Sequence, residues 1–223
     1  MIKVLIFDLD DTLYKEIEYV RSGFKAVAIF LSKKYQAPYK EIYHEMLQIL
    51  KKNGRNQVFD KILKKNKVYT KKNILKCLSV YRLHQPKINL DNEAEKCFNR
   101  FANTPKYIVT DGNKIVQRKK IQALRISKYI KHTYITHQYG KINAKPSSYC
   151  FKKISQLEKT PPKDIIYIGD DPQKDFVNIK KLGYKTIRIL QGRCKDIKMS
   201  KKYEADITIT SLNEVTNKLL NTL

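Results

Sequence analysis

The sequence predicts an α/β protein, a doubly wound parallel sheet carrying an inserted all-helical segment, and three observations support that expectation. Residues 2–9, IKVLIFDL, form a nearly unbroken apolar run that ends in acids, the pattern of a strand buried on both faces. Residues 16–102 then place apolar side chains at helical spacing. From about Tyr107 onward, short apolar runs alternate with helical stretches, as they do when a parallel sheet is built from βαβ units.

Each element has its own signal. After the opening strand, Val20, Phe24, Val27, Ala28 and Leu31 mark one helix, and Ile42, Met46, Ile49 and Leu50 mark a second after Pro38. A third helix is expected around 72–83, and the lysine-rich run at 61–76 reads as a solvated helix face. KYIVT at 106–110 is the second strand, and 115–124 returns to helix. A strand at 134–136, a helix at 147–157 after Lys145-Pro146, and the strand IIYI at 165–168 follow. A helix near 176–182, strands at 185–190 and 205–210, and a helix from Leu212 complete the chain. The expected α/β core is therefore 1–14 with 101–223, and the helical segment is 15–100.

Composition narrows the function classes. A chain of 223 residues, 42% of them hydrophobic, can bury a substantial core. No apolar run approaches the ~20 residues that cross a bilayer, and acids interrupt the N-terminus where a secretory signal would stay apolar. A cytoplasmic protein without a membrane partner is expected. The four cysteines form no CxxC pair, so zinc and redox motifs are not indicated. Forty-six Lys and Arg against 21 Asp and Glu leave a charge of +25, which attracts phosphorylated molecules, nucleic acid or anionic lipid without choosing among them. Lysine, isoleucine and asparagine richness also fits drift in an A+T-rich bacterial genome.

Ligands of open parallel sheets bind beyond the carboxyl ends of the strands. Four segments leading to that edge carry chemistry: Asp8-Leu9-Asp10-Asp11-Thr12, Thr110-Asp111-Gly112, Lys145-Pro146, and Gly169-Asp170-Asp171 followed by Asp175. Taken singly, each reads as a helix cap, a tight turn or a loop. Their joint occurrence at successive strand ends reads as an active site.

In order and spacing these four motifs resemble those of the haloacid dehalogenase superfamily, in the subfamily with a helical C1 cap after the first motif. The resemblance spans essentially the whole chain. It implies phosphoryl transfer with Mg²⁺: Asp8 as the nucleophile that becomes an aspartyl phosphate, and Asp10 as the acid that protonates the leaving oxygen and then takes a proton from water. Thr110 and the backbone N–H groups of Asp111 and Gly112 hold the phosphoryl oxygens, while Lys145 offsets their charge. Asp8, the backbone carbonyl of Asp10 and Asp170 are the expected metal ligands. Asp171, where Ser, Thr or Asn is commoner, is expected near the metal, and Asp175 is expected to orient Lys145 or a metal-bound water. Asp111 stands where relatives often have Asn. Dehalogenases of this superfamily do not keep an acid two residues after the nucleophile, so Asp10 points to the phosphatase branch. The expected reaction is hydrolysis of a small phosphate ester, a sugar phosphate or related metabolite, by a monomer or homodimer; a phosphomutase, or a basic nucleic-acid-binding protein on the same fold, is the alternative. Arg21, Arg82 and His84 in the cap are the candidate substrate contacts.

Overall fold

The computed structural model describes residues 2–223, which form two compact units: the residues up to Glu16 together with Asn89–Leu223, and Ile17–Ile88. The first unit holds one six-stranded parallel sheet of β1 (Val4–Phe7), β2 (Lys106–Thr110), β3 (His132–Ile135), β4 (Ile165–Gly169), β5 (Lys185–Ile189) and β6 (Ile207–Ile209), in the order β3-β2-β1-β4-β5-β6. Every residue of β1, β2 and β4 is buried, which explains why these strands read as continuous apolar runs. The winding reverses between β1 and β4, the place where such sheets open a crevice. Phe7 pairs with Ile108 on one side and Ile168 on the other, so Asp8, Thr110 and Asp170 all emerge at one edge.

Around the sheet lie α5 (Asn92–Arg100), α6 (Lys114–Leu124), α7 (Tyr149–Leu157), α8 (Val177–Lys180) and α9 (Asn217–Leu220), and the four helices of the insert take the numbers α1 to α4. One face of the sheet packs Val4, Ile6, Tyr107, Val109, Ile165 and Tyr167 against Phe151 and Ile154 of α7. On α5, Phe98 meets the Phe7 ring edge-on at 5.3 Å. The N-terminus of α5 is held as well, because the Asp91 N–H donates to the Leu13 carbonyl at 3.0 Å. Helix α5 lies inside the 15–100 span that the sequence assigns to the insert, yet these contacts group it with the sheet.

The second unit is all-helical, with α1 (Glu16–Tyr35, entering from the first unit at Glu16), α2 (Tyr39–Asn53), α3 (Val58–Lys65) and α4 (Lys71–Leu83). Its core joins Val20, Phe24, Val27 and Leu31 of α1 to Ile42 and Met46 of α2, Phe59, Ile62 and Leu63 of α3, and Cys77 of α4. The lysine-rich run is therefore two helices and not one solvated face. It breaks at Lys67, whose φ is 55°, and restarts where the Thr70 hydroxyl accepts from the Asn73 N–H at 3.1 Å. Helix α3 escapes the sequence reading because its lysines obscure the stripe Phe59, Ile62, Leu63. The helix expected from Leu212 starts only at Asn217; residues 212–214 form a single 3₁₀ turn capped by Ser211.

Lys106, at the start of β2, is buried with its ammonium donating to the carbonyls of Phe101 at 2.6 Å and Thr104 at 2.9 Å. Burial lowers its pKa, and these carbonyls at the end of α5 satisfy the charge. Lys106→Met removes the donor from both carbonyls, so chemical denaturation should show a loss of about 1–3 kcal/mol.

Candidate active site

At the end of β1 the Asp8 N–H completes the ladder to the Ile168 carbonyl at 2.8 Å, which aims its side chain off the sheet edge. The Lys145 ammonium lies 2.9 Å from Asp8 Oδ1 and 2.7 Å from Asp175 Oδ1, and all three side chains are at most 5% exposed. Burial alone would lower the Lys145 pKa, but the charges of Asp175 and Asp8 outweigh it and hold the lysine well above its usual value. Tyr167 of β4 completes the cluster: its phenol accepts from Lys145 Nζ at 2.9 Å and donates to Asp175 Oδ1 at 3.2 Å. Burial, reinforced by Asp175, keeps that phenol protonated.

Carboxylates of Asp8, Asp170 and Asp175 offer oxygens within 4.8 Å of one another. Burial drives Asp170 up to about 9, with the charges of Asp8 and Asp175 adding to it, and burial drives Asp8 up to about 7 against the partial relief of Lys145. Asp8 Oδ1 has no aligned hydrogen bond despite its closeness to the ammonium. Three buried carboxylates facing one buried ammonium, with an orphaned oxygen among them, fit a divalent cation with hard oxygen ligands. Asp175 stands beside the expected acids Asp8 and Asp170 in this cluster, while the Asp10 side chain turns to helix α6.

Asp10 is held by helix α6. Its carboxylate accepts from Lys120 Nζ at 2.7 and 2.9 Å, from Gln117 Nε2 at 2.9 Å, and from the Tyr14 hydroxyl. Burial alone would raise its pKa, but the Lys120 charge and these hydrogen bonds bring it below the usual carboxylate range. Gln117 also donates to the hydroxyl of buried Thr110 at 3.3 Å. Gly112 has a φ of 128°, and a Cβ there would meet Gln117 Nε2 at 3.0 Å, so turn geometry and side-chain approach both call for glycine.

The two unusual acids are loop ties. Asp111 Oδ1 accepts from the Thr136 hydroxyl at 2.6 Å and from the Lys145 N–H at 3.1 Å, linking the ends of β2 and β3 to the lysine loop. Asp171 Oδ1 accepts from the Gln173 N–H at 3.1 Å, and its Oδ2 lies 3.4 Å from Arg193 and 3.8 Å from Lys174. Asp175 Oδ2 accepts the Asp171 N–H at 3.0 Å, and a Cβ on Gly169 would sit 2.5 Å from that same oxygen.

The fold thus brings together Asp8, Asp10, Thr110, Asp111, Gly112, Lys145, Asp170, Asp171 and Asp175. Arg21, Arg82 and His84 belong to the helical unit. Arg21 and Arg82 are exposed there, whereas His84 pairs Nδ1 with the Tyr81 carbonyl at 2.6 Å and Nε2 with the Ser22 hydroxyl at 3.1 Å. Sequence reasoning missed Tyr14, Gln117, Lys120, Tyr167 and Lys174. One signal was present: the buried stripe of α6 runs Gln117, Lys120, Leu124, polar residues where a helix normally turns apolar ones inward.

A glyceraldehyde 3-phosphate phosphatase of Pyrococcus furiosus is 28% identical, covering 96% of this chain and 91% of its own. The enzyme of that name from Methanocaldococcus jannaschii is 29% identical, covering 99% and 98%. Among solved structures, a 2-haloacid dehalogenase from Pseudomonas syringae covers 100% of both chains with a TM-score of 0.67 at 17% identity, a likeness of fold. The family model of haloacid dehalogenase-like hydrolases matches residues 2–183, and the chain belongs to that family.

Proposed function

We propose that this hydrolase is a phosphatase of small phosphate esters that works through Asp8 and Asp10. The observation that carries the reading is a second carboxylate, Asp10, anchored beside a strand-end Asp8 that is buried against Lys145. The name shared by the two curated relatives supports a phosphatase and makes a triose phosphate the first ester to test. Arg21 and Arg82, expected from the sequence as substrate contacts, are exposed on the helical unit. His84, with both ring nitrogens engaged, serves the helical unit itself.

In this reading Asp10 first takes up a proton against the pull of Lys120, and the Asp8 carboxylate attacks phosphorus while Asp10 gives that proton to the departing ester oxygen. The P–O bond to the alcohol breaks and an aspartyl phosphate forms on Asp8. Asp10, now a carboxylate, takes a proton from water, whose oxygen attacks phosphorus and releases Asp8 and inorganic phosphate. Lys145 offsets the charge of the phosphoryl oxygens, which Thr110 and the backbone N–H groups of Asp111 and Gly112 receive. Asp175 and Tyr167 hold the lysine in place. Asp8, Asp170 and the Asp10 carbonyl, with Asp175 alongside, are the groups for a Mg²⁺ ion. That ion supplies charge neutralisation between the nucleophile and the phosphate dianion.

Phosphate release from glyceraldehyde 3-phosphate and a panel of sugar phosphates with Mg²⁺ tests the proposal. Asp8→Asn should abolish release, and Asp10→Asn should lower kcat by about 10²–10⁴-fold. Release undiminished in Asp8→Asn would overturn it.

A second prediction concerns stability. Asp8 and Asp170 have folded-state pKa values of about 7 and about 9 against an ordinary 3.8, so the folded protein retains protons that the unfolded chain gives up between about pH 4 and 9. Metal-free protein should lose thermal stability as pH rises through that window, and Asp170→Asn should flatten the loss. Added Mg²⁺ should raise Tm more at pH 8 than at pH 6, because it competes with fewer protons.

A further inference from the structure

We infer that Lys120, acting with Gln117, is a positioning residue that fixes the carboxylate of Asp10 in a single orientation; the inference rests on the reading of Asp10 as the group that moves protons. Three observations converge on it. The Lys120 side chain is only 3% exposed although it is a lysine, and its ammonium spans both Asp10 oxygens while also lying 3.9 Å from Glu16. A buried ammonium is costly unless its partner is held in good geometry, so the pair is a specific arrangement and not a surface ion pair. Gln117 lies one turn earlier on the same face of α6, and its single amide nitrogen reaches Asp10 Oδ2, the Thr110 hydroxyl and the Asp111 carbonyl.

The register of α6 is set locally. Asn113 caps the helix, accepting from the N–H groups of Ile115 and Val116 at 3.0 and 3.3 Å, directly after the Thr110-Asp111-Gly112 turn. Lys120 and Gln117 are thereby carried by an element that starts where the phosphate-binding turn ends. An aspartate carboxylate has two side-chain torsions, and a proton-transfer group misplaced by about 1 Å can lose about 10²-fold in rate. Donors from Lys120, Gln117 and Tyr14 remove that freedom. The plainer alternative is that Lys120 only neutralises Asp10 and Glu16 and so contributes to stability alone.

A double-mutant cycle separates the two, using glyceraldehyde 3-phosphate, or p-nitrophenyl phosphate if that ester is not turned over. Lys120→Met should lower kcat by at least about tenfold with KM within about threefold, and Lys120→Arg should recover part of the loss. In the Asp10→Asn background, Lys120→Met should cost nothing further, since its target is already gone. Gln117→Leu enters the same cycle, so that a Lys120→Met protein that fails to fold still leaves a variant that decides the matter. Full multiplicative losses in the Asp10→Asn background, or wild-type kcat in Lys120→Met, would overturn the inference. Wild-type kcat in Asp10→Asn alongside an inactive Asp8→Asn would overturn it too while leaving the phosphatase intact, whereas an active Asp8→Asn would remove the phosphatase reading itself.

Discussion

Lys145 can be buried only because Asp8 and Asp175 close on its ammonium from two sides, at 2.9 and 2.7 Å, and the rest of the site is arranged around that constraint. Asp175 must reach inward from the loop after β4, so Gly169 has to leave room for its carboxylate and Asp171 has to present its N–H to it. Lys145 must arrive on a loop from another part of the sheet, so Asp111 ties that loop to β2 and β3. Tyr167 donates to Asp175 and accepts from Lys145, a role open to a phenol because burial keeps it protonated. Removing the lysine would leave buried like charges facing one another, the situation a low-dielectric interior tolerates least.

The same charge balance divides four of the site's acids into different tasks. Asp8 and Asp170 are pushed upward by burial, with the charge of Asp175 adding to both, which suits groups that await a cation. Asp10 is drawn the other way by the charge of Lys120 and its hydrogen bonds, which hold it as the ionised partner of that lysine. Asp175 is committed to the lysine. Residues of one type, supplied by the first and last motifs, thus diverge in chemistry through the partners that each strand end and helix places beside them. A fold shared with a 2-haloacid dehalogenase does not dictate this division; the side chains at the sheet edge do.

The unusual acids Asp111 and Asp171 illustrate how motif comparison and geometry differ in reach. From the motif alone Asp171 reads as a group near the metal and Asp111 as an extra acid beside the phosphate pocket. Their hydrogen bonds to Thr136, the Lys145 N–H and the Gln173 N–H show acids that fasten loops, a task an amide or hydroxyl can share. Likewise α5 follows a long helical stretch in sequence yet belongs with the sheet, because Phe98 finds Phe7 and Lys106 finds the carbonyls at the end of the helix.

The sequence by itself determined the parallel sheet, the helical insert and the strand-end residues, because continuous burial, helical periodicity and polar strand ends are properties of neighbours along the chain. It also held a faint mark of Gln117 and Lys120, as polar residues on the buried stripe of α6. Only the tertiary structure decided that this stripe meets Asp10, that Tyr167 bridges Lys145 and Asp175, and that the lysine-rich run is two helices whose apolar sides form a core. The first of these joins residues 110 positions apart and the second joins Tyr167 to residues 22 and 8 positions away, and local pattern carries no record of which partner satisfies a buried charge.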